Sequence, residues 1–81
     1  MSLLNELHTF HAVAACHGFS KAAEQLNVSK GLVSRHIKTL EGHYQIKLFH
    51  RTTRKVSLTE AGQRLYDKAR QIEQLAHQAE I

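Results

Sequence analysis

The sequence predicts a mainly α-helical chain: three short helices, a small two-stranded hairpin and a long C-terminal helix. Three observations carry that prediction. The 81 residues include no proline and four glycines, which leaves little turn or loop material. Apolar residues recur every three or four positions along most of the chain. That period breaks once, across "KLFHRTTRKVSLT", where two short apolar or β-branched runs flank a polar turn.

From Ser2 to His17, the apolar residues Leu3, Leu4, Leu7, Phe10, Val13 and Ala14 lie at helical spacing. Ser2 is a natural N-cap, Glu6 suits the positive first turn, and Gly18 is the expected stop. Ser20 then caps a short second helix that turns Ala22, Ala23 and Leu26 inward, its paired alanines allowing close approach of another helix. In "LNVS", Asn27 tolerates the left-handed conformation, Val28 plugs the corner and Ser29 caps the third helix. At about 100° per residue, Val33, Ile37 and Leu40 share one side of that helix. Gly31, Ser34, Arg35 and Lys38 lie almost opposite.

Beyond Glu41, Leu48–Arg51 and Lys55–Leu58 read as two strands around the turn Thr52-Thr53-Arg54, a hairpin with a basic tip. Thr59 or Ser57 caps the last helix. Along it Ala61, Leu65, Ala69, Ile72, Ala76 and Ala79 form a stripe, with Leu75 beside it. So narrow a seam suits pairing with a second copy of the same helix better than covering a core. Two units follow: residues 1–58 as a compact domain and residues 59–81 as a pairing helix.

Eleven Lys and Arg against seven acids give a net charge of +4, and the pI is near 9.6. Such a balance suits a polyanion. The position of the charge says which one. A solvated helix face ordinarily mixes both signs, yet "VSKGLVSRHIKTLE" carries Lys30, Arg35 and Lys38 with no acid before Glu41.

Two helices joined by a tight turn, the second with a bare basic face, make a helix-turn-helix. The major groove of B-DNA is about 12 Å wide and admits a helix. Small residues at Gly31 and Ser34 let its backbone approach. Arg35 can then span guanine O6 and N7, while Lys30 and Lys38 meet guanine or phosphate. The Ser29 cap leaves first-turn N–H groups facing outward as a phosphate site. Arg51, Arg54 and Lys55 on the hairpin form a basic finger that fits the minor groove or lies along the phosphates.

The pieces "FSKAAEQLNVSKGLVSRHIKTLE" and "KLFHRTTRKVSLTEAG", behind a leucine-rich first helix, resemble the N-terminal domain of LysR-type transcriptional regulators from about Leu4 to Gly62. The resemblance implies a winged helix-turn-helix in bacterial transcription control, binding an imperfect palindrome of double-stranded DNA as a dimer. By position it places Lys30, Gly31, Ser34 and Arg35 against DNA from the reading helix and Arg54 from the wing. Thr52 and Lys55 become phosphate partners, and Lys38 faces the same way. Gln63 to Ile81 fall where that family has its dimerising linker helix. Lys30 and Gly31 stand where the family often shows Gln and Pro, Ser or Ala, and Gln45 where it often shows Gly. The resemblance further implies that the effector-binding domain is absent from this chain, so that a small-molecule effector would act only through that missing part.

The remaining features point to no chemistry. Cys16 is alone, which fits a reducing cytoplasm and no internal disulfide. No apolar run approaches the roughly 20 residues that span a bilayer, and the N-terminus lacks the pattern of a signal peptide. His8 and His11 stand three apart without a carboxylate or thiolate at ligand spacing, so no metal and no cofactor is expected. No nucleophile sits with a base, and no phosphate loop is present, so the chain does not read as an enzyme. The alternative functions are a protein–protein module that pairs through its C-terminal helix, and a binder of structured RNA.

Overall fold

The computed structural model of the chain describes residues 3–51 and 56–79. Four helices and two strands follow in the order α1 (Leu4–Cys16), α2 (Phe19–Leu26), α3 (Lys30–Tyr44), β1 (Phe49–Arg51), β2 (Val56–Leu58) and α4 (Glu60–Ala79). The strands pair antiparallel, with Phe49 opposite Leu58, His50 opposite Ser57 and Arg51 opposite Val56. The expected Ser2 cap and the tip residues Thr52, Thr53, Arg54 and Lys55 lie outside the described residues.

Helix α1 is the hub, since α2, α3 and α4 all pack on it. Its inward stripe of Phe10 and Val13 meets Ala22 of α2 and Val33, Ile37 and Leu40 of α3, all fully buried. The absence of a side chain beyond Cβ at Ala22 and Ala23 lets α2 lie close to α1. Phe49 closes the open end of this core, with ring centroids 5.3 Å from Phe10 and 5.9 Å from Phe19. Burial of these large side chains is the principal stabilising contribution in so small a domain.

Several local expectations require correction. Helix α1 ends on His17, which takes the left-handed conformation at φ 59°, while Gly18 is extended and serves as N-cap of α2. Ser20 therefore lies inside α2 and caps nothing. Phe19 has to reach the core directly after the turn, which moves the helix cap two residues earlier, from Ser20 to Gly18. Asn27 and Ser29 act as expected: Asn27 is left-handed at φ 57°, and the Ser29 hydroxyl accepts the Leu32 N–H at 3.1 Å. Val28 is 38% exposed and does not plug the corner. Helix α3 runs on past Glu41 to Tyr44, where Gln45 closes it at φ 54°.

The largest correction concerns α4. The periodicity alone assigns its whole apolar stripe to self-pairing, but the structure divides it. Ala69 is 1% exposed within the core of its own chain, and Leu65 and Tyr66 pack against that core. The first half of α4 is thus part of the body, because α1 presents a second apolar side that α2 and α3 leave open. Only Ile72, Leu75, Ala76 and Ala79 of the stripe stay exposed.

Candidate nucleic-acid interface

The outer face of α3 is built by its inner face. Val33, Ile37 and Leu40 are wholly buried, and helical geometry turns Lys30, Gly31, Ser34, Arg35 and Lys38 the other way. Lys30, Gly31, Arg35 and Lys38 are exposed and Ser34 is half-buried. Among the described residues the ion pairs join Lys47 to Glu41 and Arg64 to Glu60, while Glu73 is taken up by a hydrogen bond with His8. None engages Lys30, Arg35 or Lys38. Three cations therefore stand on one helix face without an acid to neutralise them, which raises the local positive potential.

Gly31 adds a steric argument. A Cβ at that position would meet only the Ser29 hydroxyl, at 3.9 Å. Among the described residues no close neighbour requires a glycine there, so the outer surface of α3 is flat and open at this point. Ser29 itself is exposed and holds the first turn of α3 through the Leu32 N–H, leaving neighbouring first-turn N–H groups toward solvent.

Contacts that the sequence reading does not foresee hold this surface from behind. Thr9 of α1, itself 4% exposed, places its hydroxyl 2.7 Å from Nδ1 of His36, which ties the back of α3 to the hub helix. Glu41 turns inward and accepts the Leu48 N–H at 2.9 Å. No period or charge pattern marks either residue, because each is polar on a side that periodicity reserves for apolar groups. The signal available was the spaced piece "IKTLE" before "KLF", which keeps Glu41 seven residues ahead of Leu48.

On the hairpin, Arg51 lies with its guanidinium 4.7 Å from the centroid of the Phe19 ring. It serves as a cation–π lid on α2, so this charge is anchored rather than extended. Thr52, Arg54 and Lys55 lie outside the described residues, and the basic finger rests on the sequence alone. His8, considered above beside His11, has its Nδ1 2.6 Å from the Glu73 carboxylate of α4. The His11 ring stacks on Tyr66 with centroids 5.4 Å apart. The Cys16 thiol donates to Oε1 of Gln25 at 2.7 Å and so links α1 to α2. No helix among the described residues is long and apolar enough to cross a membrane.

Comparison with known proteins agrees with this geometry. Residues 4–63 match the family described as "Bacterial regulatory helix-turn-helix protein, lysR family". The HTH-type transcriptional regulator DmlR of Escherichia coli (strain K12) is 46% identical over 72 residues, covering 89% of this chain and 24% of that protein. The chain spans about a quarter of the length of the curated relatives it matches. Among solved structures, the BenM_DBD/catB site 1 DNA complex superposes with a TM-score of 0.90 at 33% identity, over 98% of this chain and 87% of that one. The CbnR_DBD-DNA complex gives 0.87 at 33% identity, over 98% of this chain and 90% of that one.

Proposed function

This chain belongs to the lysR family of bacterial regulatory helix-turn-helix proteins, and we propose that its helix α3 reads base edges in the major groove of an operator. It is a helix-turn-helix DNA-binding domain of the LysR type, with transcriptional regulators as its relatives. Its work is binding, in the cytoplasm, and not catalysis.

In this reading, Arg35 makes the bidentate contact to guanine, and Gly31 and Ser34 let the helix sit deep. Lys30 and Lys38 meet guanine or phosphate, and Ser29 presents first-turn N–H groups to a phosphate. Thr52, Arg54 and Lys55 supply the wing, with Arg54 at the flanking minor groove and the other two on phosphates. Two copies join through the exposed part of α4, at Ile72, Leu75, Ala76 and Ala79, and bind an imperfect palindrome. Residues 1–58 act as the reading unit and 59–81 as the dimerising helix, although Leu65 and Ala69 are engaged by the chain's own core. The solved complexes of the similar BenM and CbnR domains contain DNA, which supports the choice of partner.

The single observation that carries the reading is the unpaired basic face of α3 turned away from the core. Replacing Arg35 tests it. Arg35→Ala should cost about 1–3 kcal/mol on the best duplex and relax base preference at one position in each half-site. Binding titrations on duplexes selected from a random pool measure both effects. Unchanged affinity and preference would remove Arg35 from the interface.

A further inference from the structure

Behind the reading surface, one chain of hydrogen bonds runs from α3 into α4. Glu41, near the C-terminal end of α3, has a side chain only 10% exposed, and its Oε2 accepts the Leu48 N–H at 2.9 Å. The Thr59 N–H donates to the Leu48 carbonyl at 3.0 Å. The Thr59 hydroxyl donates to the Lys47 carbonyl at 2.7 Å and accepts the Gly62 N–H at 2.9 Å. Leu48 itself is buried to 1% exposure, so its N–H and carbonyl depend on these partners.

Helices α3 and α4 make no extensive direct packing with each other, and each lies on α1. Their mutual orientation is therefore set by α1, by β2 against the start of α4, and by this junction. We propose that Glu41 and Thr59 are positioning residues that fix the angle between α3 and α4, and thereby the half-site spacing at which two copies read DNA. The inference rests on the reading of a dimer on a palindrome given above.

Lever geometry gives the junction its importance. Helix α4 has 20 residues, a length of about 30 Å, so a tilt of about 10° at its base moves the far end by about 5 Å. That exceeds the rise of one base pair, about 3.4 Å. The residues proposed to meet the second copy occupy that far end, whereas Glu41 and Thr59 stand at the base. A hydrogen bond to a carboxylate held largely away from water resists opening better than a neutral one in solvent.

The test uses the 81-residue chain and duplexes carrying two selected half-sites, with the spacer varied one base pair at a time. The wild-type chain should lose about tenfold in affinity when the spacer departs by two base pairs from its optimum. Thr59→Val and Glu41→Ala should flatten that ratio to about twofold while binding to a single half-site changes by less than about twofold. Thr59→Ser and Glu41→Gln each keep an oxygen for the bond and should retain the sharp profile. Should a variant melt below the assay temperature, amide exchange on the wild-type chain decides. By linkage, exchange at Leu48 should slow by about the same tenfold on the paired site relative to the half-site. A spacer profile equally sharp in the variants, a flat wild-type profile, or equal Leu48 exchange on both duplexes overturns the inference alone. Lack of salt-dependent duplex binding by the wild-type chain overturns the underlying reading as well.

Discussion

Two glycines in this chain are glycine for opposite reasons. At Gly62 an added Cβ would overlap the Leu48 carbonyl oxygen and approach Leu58 Cδ2 to 3.0 Å. Backbone cannot yield there, because Leu48 is buried and held by Thr59. Gly62→Ala should therefore destabilise the fold by about 2–3 kcal/mol, read from a denaturant midpoint at unchanged slope. At Gly31 the Cβ position is open, and alanine is the better helix former by about 1 kcal/mol. Gly31→Ala should raise the midpoint while weakening binding to the selected duplex. Higher stability with unaltered affinity would show that Gly31 does not lie against DNA. The sequence marks Gly62 only as part of "LTEAG", since its role depends on a segment fourteen residues away that periodicity does not connect to it.

At the scale of elements, every described helix boundary that the sequence places correctly has a local cause. The Ser29 cap and the left-handed Asn27 need only their neighbours, and both are legible. Thr59 is likewise the working cap of α4, accepting the Gly62 N–H, where Ser57 was the alternative. The boundaries that fail were decided by packing. Phe19 enters the core and carries the start of α2 with it. Helix α3 continues to Tyr44 because Leu40 and Glu41 are held from beneath, and its end falls on Gln45 in a conformation that suits glycine. Gln45→Gly should thus stabilise the chain by up to about 1 kcal/mol, net of the added freedom of the unfolded chain. That corresponds to a rise of about 4–8 °C in Tm for a domain of this size. Asn27→Gly should change Tm little, since asparagine already tolerates that conformation. A fall in Tm for Gln45→Gly would mean that the glutamine side chain makes a compensating contact.

For the whole molecule the decisive feature is the division of α4 between the body and the outside. Ala69→Glu places a charge where 1% of the residue is exposed and should unfold the chain or cost several kcal/mol. Leu75 is 65% exposed, so Leu75→Glu should leave the unfolding midpoint within about 0.5 kcal/mol of the wild type. It should nonetheless weaken self-association, measured by sedimentation across a concentration series, and with it the preference for paired half-sites. Self-association indifferent to Leu75→Glu would move the pairing surface elsewhere. One stripe of similar residues is thus divided between the chain's own core and solvent, and sequence period cannot separate the two halves.

What the sequence by itself determined was the identity of the elements, the cap of α3, and the unbalanced basic face between Lys30 and Lys38. Each of these is set by residues within a turn or two of one another, so local sterics and helical period suffice. Tertiary structure alone decided which half of α4 is buried, why Gly62 cannot carry a side chain, and how Glu41 and Thr59 lock α3 to α4. Those depend on groups brought together from distant parts of the chain, where close packing and the need to satisfy buried polar atoms govern the outcome.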